Sequence, residues 1–115
     1  MADTLSIIIA GGRDYEFTPE DIARLDELPV REVVSGGASE ADKCGEQWAE
    51  ERGILVKLFP ADWKTYGRAA GPMRNRAMAE YADAVVLFPG GRGTASMKRE
   101  AEKAGIRVFD WTSFC

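Results

Sequence analysis

Paired glycines stand beside arginine, serine or threonine at three points of the chain: Gly11-Gly12-Arg13-Asp14, Ser35-Gly36-Gly37, and Pro89-Gly90-Gly91-Arg92-Gly93-Thr94. Without a Cβ, glycine lets backbone N–H groups approach a ligand closely, and a guanidinium matches phosphate with two parallel hydrogen bonds. Arg13, Arg74 and Arg92 fall in or near these segments, so recognition of an anionic oxygen, phosphate above all, is the chemistry they support. Each charge-assisted hydrogen bond contributes about 1.5–3 kcal/mol, and three or four of them, after ordering costs, suffice for micromolar binding at about 8 kcal/mol. Paired glycines after a strand also serve as plain tight turns, and for Ser35-Gly36-Gly37 taken alone that reading is equally good. The 89–94 stretch is richer, because Thr94 adds a hydroxyl that either caps a helix or bonds phosphate. Neither G-x-G-x-x-G nor G-x-x-x-x-G-K-[ST] is present, which excludes the usual dinucleotide fingerprint and the Walker loop.

Composition narrows the chemistry further. The 115 residues contain no histidine, so a Ser/His/Asp triad and imidazole metal ligation are impossible, and Cys44 and Cys115 are too few and too far apart for a zinc cluster. No metal and no cofactor is expected. The formal charge of −4 argues against a general nucleic-acid or anionic-membrane surface, so any anion site must be local. The apolar runs fall short of the roughly 20 residues that span a bilayer. With no signal-like segment at the start, the two thiols read as reduced and the protein as cytoplasmic.

Those residues need elements to position them, and the chain supplies strands alternating with helices over one domain, residues 1–115. A strand over 5–10 ends at the first glycine pair. A helix follows with Thr18 as N-cap, Pro19 at N1, and Ile22, Leu25 and Leu28 on one face. The run 31–35 is a second strand, leading to a helix capped by Ser39 and closed at Gly53. A third strand starts at Ile54, the stretch 63–71 has turn composition, and Pro72 opens a helix carrying Met73, Ala77 and Tyr81. A fourth strand runs into Pro89, a helix covers 94–104, and 106–111 forms the fifth strand. Such alternation implies right-handed crossovers, hence an α/β, Rossmann-like three-layer sandwich with a parallel sheet of about five strands. In that architecture every strand-to-helix turn lies at one edge, where ligands bind.

Around that edge further residues qualify. Trp63 and Tyr66 stack on a base, pack a lid, or touch a partner subunit; base stacking is worth roughly 1–3 kcal/mol. Ser35 and Asp14 bond a ribose or satisfy turn amides. Trp48 reads as core, while Trp111 and Phe114 read as cover for a sheet edge or a partner.

The stretch 73–94, MRNRAMAEYADAVVLFPGGRGT, resembles the pattern M-x-x-R-K-x-x-M…S-D-A…P-G-G-x-G-T-x-x-E of the lonely-guy (LOG) nucleotide phosphoribohydrolases. With GGRD, SGGA, PADW and AGPMRN in order, nearly the whole chain is similar to the YspA/YpsA-related branch of the SLOG superfamily. The resemblance implies a Rossmann-like nucleotide-binding fold, usually a homodimer, with a nucleotide or nucleotide-derived ligand. It places Arg74 on the family's catalytic arginine, Asn75 where lysine is usual, and Gly90, Gly91, Gly93 and Thr94 on the phosphate loop. The hydrolases' glutamate falls on Met97. Loss of a base from a ribosyl carbon develops positive charge that a carboxylate stabilises and a thioether does not.

Two functions of different class follow. The first is a binding module, sensor or sequestering, that keeps the phosphate cradle and lacks cleavage. The second is a nucleoside 5′-monophosphate phosphoribohydrolase with Arg74 and a displaced carboxylate, Glu100 or Asp42. Charge argues against nucleic acid as the partner.

Overall fold

The computed structural model of the protein describes residues 4–37 and 39–112. Five strands, β1 (Leu5–Ala10), β2 (Val30–Ser35), β3 (Leu55–Leu58), β4 (Ala84–Leu87) and β5 (Arg107–Asp110), form one sheet in the order β3-β2-β1-β4-β5. All four pairings are parallel. β1 and β4 read as unbroken apolar runs because helices cover both faces of the sheet, which leaves no side of these central strands for water. Ile7, Ile9, Val33, Val86 and Phe88 pack with Leu25 and Trp48 on one face. Ile8, Val34, Val85 and Leu87 pack with Met78, Met97 and Ala101 on the other. Helices α1 (Pro19–Asp26) and α2 (Glu40–Glu51) thus lie on one side, and α4 (Ala70–Tyr81) and α5 (Arg92–Ala104) on the other, with a single-turn α3 (Trp63–Tyr66) leading into α4. This is the three-layer α/β arrangement the alternation predicts.

The helix starts show which local signals carry the fold. Thr18 and Ser39 each form a full capping box, with Asp21 and Asp42 as the reciprocal partners, and α2 ends shortly before Gly53 as expected. Trp48 is core, its indole N–H donating to Asp26 Oδ1 at 3.0 Å. Two starts differ from expectation. The 63–71 segment is not a plain turn: α3 and a 3₁₀ turn over Gly67–Ala69 carry the chain directly into α4, which begins at Ala70 and places Pro72 within its first turn. Proline is tolerated there because the first turn's N–H groups have no intrahelical partner. α5 begins at Arg92 with Gly91 as N-cap, so Thr94 sits inside the helix and does not cap it.

β1 is flanked by β2 on one side and β4 on the other, so the chain reverses its direction of winding between β1 and β4. In open parallel sheets that reversal opens a crevice outside the strands' carboxyl ends. The turns after Ala10 and Leu87 border it.

Candidate functional site

A cleft of about 580 Å³ occupies this crevice, walled by the 11–13 turn, Ser39, Trp63, the first turns of α4, and one face of α5. It shares Arg74, Asn75, Gly93 and Thr94 with a narrower recess of about 100 Å³, whose floor includes Ile9, Met78 and Met97.

Glycine holds the walls together by close approach. The Gly12 N–H donates to the Pro89 carbonyl at 2.8 Å, joining the two turns that flank the switch point. A Cβ at Gly90 would lie 2.2 Å from Thr94 Oγ1 and 2.7 Å from the Gly12 nitrogen, and one at Gly11 2.7 Å from the Ala41 Cβ. A Cβ at Gly36 would lie 2.5 Å from Arg74 Nη1, so this glycine admits the arginine. Gly91 and Gly93 are different: a Cβ at either meets nothing within 4 Å, and Gly91 has φ −101°, so packing does not demand glycine at these two cleft-lining positions.

Arg74 is held in a chain of hydrogen bonds. Its Nη1 donates to the Gly36 carbonyl at 2.9 Å, its Nε donates to Asn75 Oδ1 at 3.0 Å, and Asn75 Nδ2 donates to Ser96 Oγ at 3.2 Å. Burial lowers the Arg74 pKa, and the nearby Asp42 charge opposes that shift. The side chain nevertheless remains a cation, because arginine does not lose its proton in proteins. Thr94 is 7% exposed, and among the described residues its Oγ1 has no hydrogen-bond partner. It lies in the first turn of α5, whose N-cap supplies no side-chain bond, so that turn's N–H donors and partial positive charge remain available.

Of the residues singled out from the sequence, Gly11, Gly12, Arg13, Trp63, Arg74, Asn75, Gly91, Arg92, Gly93 and Thr94 line the cleft. Gly36 and Asp42 line the recess. Pro89 and Gly90 do not line the cleft: the Pro89 carbonyl accepts the Gly12 N–H, and Gly90 lies close against Thr94 and Gly12. Ser35 is fully buried away from the cleft, its Oγ donating to Glu46 Oε2 at 2.7 Å and accepting from the Gly37 N–H at 3.1 Å, which favours the turn-satisfying reading. Gly37 lies outside the cleft as well, and its φ of 65° explains the glycine. Asp14 is exposed and does not line the cleft. Glu100 faces a separate groove among Pro72, Met73, Arg76, Glu80 and Lys103. Helical geometry is the reason: Glu100 is one residue past Arg99, about 100° round the helix from the stripe of Arg92, Ser96 and Arg99 that faces the cleft. Phe114 and Cys115 lie outside the described residues; Trp111 packs edge-on against Phe88 under the Arg24 guanidinium.

Sequence reasoning missed Ser96, Arg99, Gly71 and the cleft position of Ser39. Ser96 and Arg99 follow Arg92 by four and seven residues, so the spacing puts all three on one helix face but does not say on which side of the helix the cleft lies. Trp63 is 57% exposed yet anchored, since a Cβ at Gly71 would come within 3.3 Å of its ring.

The family model for the YspA, cpYpsA-related SLOG family matches residues 5–66. The chain belongs to that family. The matched span carries the first two glycine turns and Trp63 and ends before Arg74 and the 89–94 turn. The chain is also 41% identical over 87 residues to the Gene 61 protein of Mycobacterium phage D29, an alignment covering 69% of this chain and 70% of that protein. Among solved structures it is similar to DNA processing protein A from Streptococcus pneumoniae, with a TM-score of 0.70 at 15% identity. That match covers 93% of this chain and spans only half the length of the other, and it carries the fold. Among the described residues, no helix is long and apolar enough to cross a membrane.

Proposed function

We propose that the protein binds a nucleotide or nucleotide-derived molecule by its phosphoryl group, as a sensor or sequestering module. The observation that carries this reading is the Thr94 hydroxyl, buried without a partner among the described residues in the first turn of α5 and sharing the recess with Arg74. An unpaired buried hydroxyl costs about 1–3 kcal/mol, and a phosphoryl oxygen seated there removes that cost while taking up the free helix donors. Family membership agrees with a nucleotide-related role. Native mass spectrometry of freshly purified protein tests for a co-purifying nucleotide, and calorimetric titration with nucleoside monophosphates tests the site. Thr94→Val and Arg74→Gln are each expected to weaken binding at least tenfold; unchanged affinity in both ends the proposal.

A second reading is supported by Asp42, the carboxylate that lines the recess with Arg74 and Met97. Its Oδ2 already accepts the Ser39 N–H at 3.2 Å as half of the α2 cap. Hydrolysis of the N-glycosidic bond through Asp42 predicts free base released from a nucleoside monophosphate, abolished by Arg74→Ala and Asp42→Asn. Such turnover replaces the binding-only reading. The DNA processing role named for the structural neighbour gives a third outcome: a salt-sensitive shift of a labelled oligonucleotide would move the ligand class to single-stranded DNA.

The same reading includes a homodimer in a reducing, cytoplasmic setting. Met73 and Tyr81 on α4 are each nearly half exposed and offer an apolar surface to a second copy, whereas Met78 on the same helix is core. Light scattering is expected to give twice the 12.6 kDa chain mass.

A further inference from the structure

The described residues that line the cleft include four arginines, Arg13, Arg74, Arg92 and Arg99, and not one Asp or Glu. This happens in a chain with 19 acidic and 15 basic side chains. Elsewhere Arg24, Arg31, Arg52, Arg76, Lys98 and Lys103 are matched to carboxylates, while Lys43, Lys57, Lys64, Arg68 and Arg107 form no ion pair among the described residues and do not line the cleft. None of the four cleft arginines forms an ion pair among the described residues. Arg74 is half-buried at the recess, whereas Arg13, Arg92 and Arg99 are exposed around the outer cleft. Arg74 has the Asp42 charge nearby in the recess, but Arg13, Arg92 and Arg99 line the outer cleft with no carboxylate among its lining residues. Their mutual repulsion is relieved by a counter-charge, and one phosphoryl group at Thr94 and Arg74 leaves the outer three unmatched.

We propose that the ligand carries two linked phosphoryl groups, the first seated at Thr94 and Arg74 and the second held in the outer cleft by Arg99 with Arg92 and Arg13. The ligand class is therefore a diphosphate-bearing nucleotide; this rests on the phosphoryl-binding reading above and adds a second subsite to it. Helical geometry supports the placement. Arg92 and Arg99 lie seven residues apart on one face of α5, about two turns or 10 Å of rise, and a helical side chain covers the surface one turn toward the N-terminus. The Arg99 side chain thereby covers the helix surface near Ser96, about one turn of axial rise beyond the helix start. At about 580 Å³ the cleft also has room for a base and sugar against Trp63.

The test titrates the purified protein, free of divalent cations, with matched pairs: AMP and ADP, GMP and GDP, CMP and CDP, UMP and UDP. For the pair whose base is accepted, the diphosphate is expected to bind at least tenfold tighter than the monophosphate. Arg99→Gln is expected to shrink that ratio below threefold and Arg99→Lys to retain part of it, whereas Arg74→Gln weakens both members alike. ADP-ribose against ADP then separates a bridging diphosphate from a terminal one, and tighter binding of either supports the second subsite. Monophosphate binding with a wild-type ratio below threefold overturns the second subsite and leaves the phosphoryl-binding reading standing. So does equal weakening of both members by Arg99→Gln. If no nucleotide binds, or a dT20 oligonucleotide binds while none of them does, both proposals fall.

Discussion

The Thr94 hydroxyl has given up water and gained no partner among the described residues, and this gives substitutions there opposite signs on stability and on binding. Thr94→Val keeps the shape and deletes the orphaned group, so chemical denaturation is expected to show stability unchanged or raised by about 1 kcal/mol while nucleotide affinity falls. A loss of several kcal/mol would mean that the hydroxyl has a structural partner after all. The neighbouring glycines divide in the same way. Gly90→Ala pushes a methyl group to within 2.2 Å of Thr94 Oγ1 and 2.7 Å of the Gly12 nitrogen, and backbone cannot give way as a flexible side chain can. It is expected to cost about 2 kcal/mol or more. Gly91→Ala meets nothing within 4 Å and has an ordinary negative φ, so its stability should stay within about 0.5 kcal/mol of the native chain. Binding should nevertheless weaken, because the new methyl group projects where the ligand approaches.

Among the elements, the start of α1 is the most strongly wired. Asp21 is fully buried, accepts the Tyr15 hydroxyl at 2.6 Å and the Thr18 N–H at 3.0 Å, and pairs with Arg24 at 2.8 Å. Burial drives the Asp21 carboxyl up, but the bonds from Thr18, Tyr15 and Arg24 outweigh it and hold the group below the usual carboxylate range. A depressed folded-state pKa stabilises the fold above the unfolded value of about 3.9 and loses that contribution as pH falls through the folded value. Asp21→Asn is therefore expected to flatten the acid limb of a stability-against-pH curve. Tyr15 behaves oppositely: burial first, then its bond to Asp21, pushes the hydroxyl up to about 12. The protonated form is favoured by folding, so its contribution is complete below pH 10 and is lost between 10 and about 12. Tyr15→Phe should remove that alkaline slope in urea titrations, and an unaltered slope would assign it to other groups. α3 and α4 act together at the cleft mouth, where the Trp63 ring rests above Gly71. Gly71→Ala is expected to displace the ring and weaken binding several-fold, with a shifted Trp63 fluorescence maximum as the check.

For the molecule as a whole, a cationic cleft sits on an acidic body of net charge −4. Added salt screens the attraction of a small anion to the exposed Arg13, Arg92 and Arg99, so affinity for a diphosphate nucleotide should drop several-fold between 50 and 500 mM NaCl. A long polyanion must also lie against the acidic surface beyond the cleft, so it should bind weakly at either salt. Length, the strand–helix alternation, the capping residues Thr18 and Ser39, and the glycine pairs after strands were legible because each is a local preference of backbone or side chain. They determined a three-layer parallel fold with its turns on one edge. The sequence alone also placed Arg74 and the 89–94 turn at that edge, since a parallel sheet sends every strand-to-helix turn to the same side. What only the tertiary structure decided is rotational and long-range. It set which face of α5 looks into the cleft, admitting Ser96 and Arg99 and turning Glu100 away; it placed Gly36 so that Arg74 crosses to the second turn. It also left the Thr94 hydroxyl buried with no partner among the described residues. Such outcomes depend on how helices are rotated and docked against the sheet, and that rotation is fixed by packing among residues distant in the chain, which no local pattern encodes.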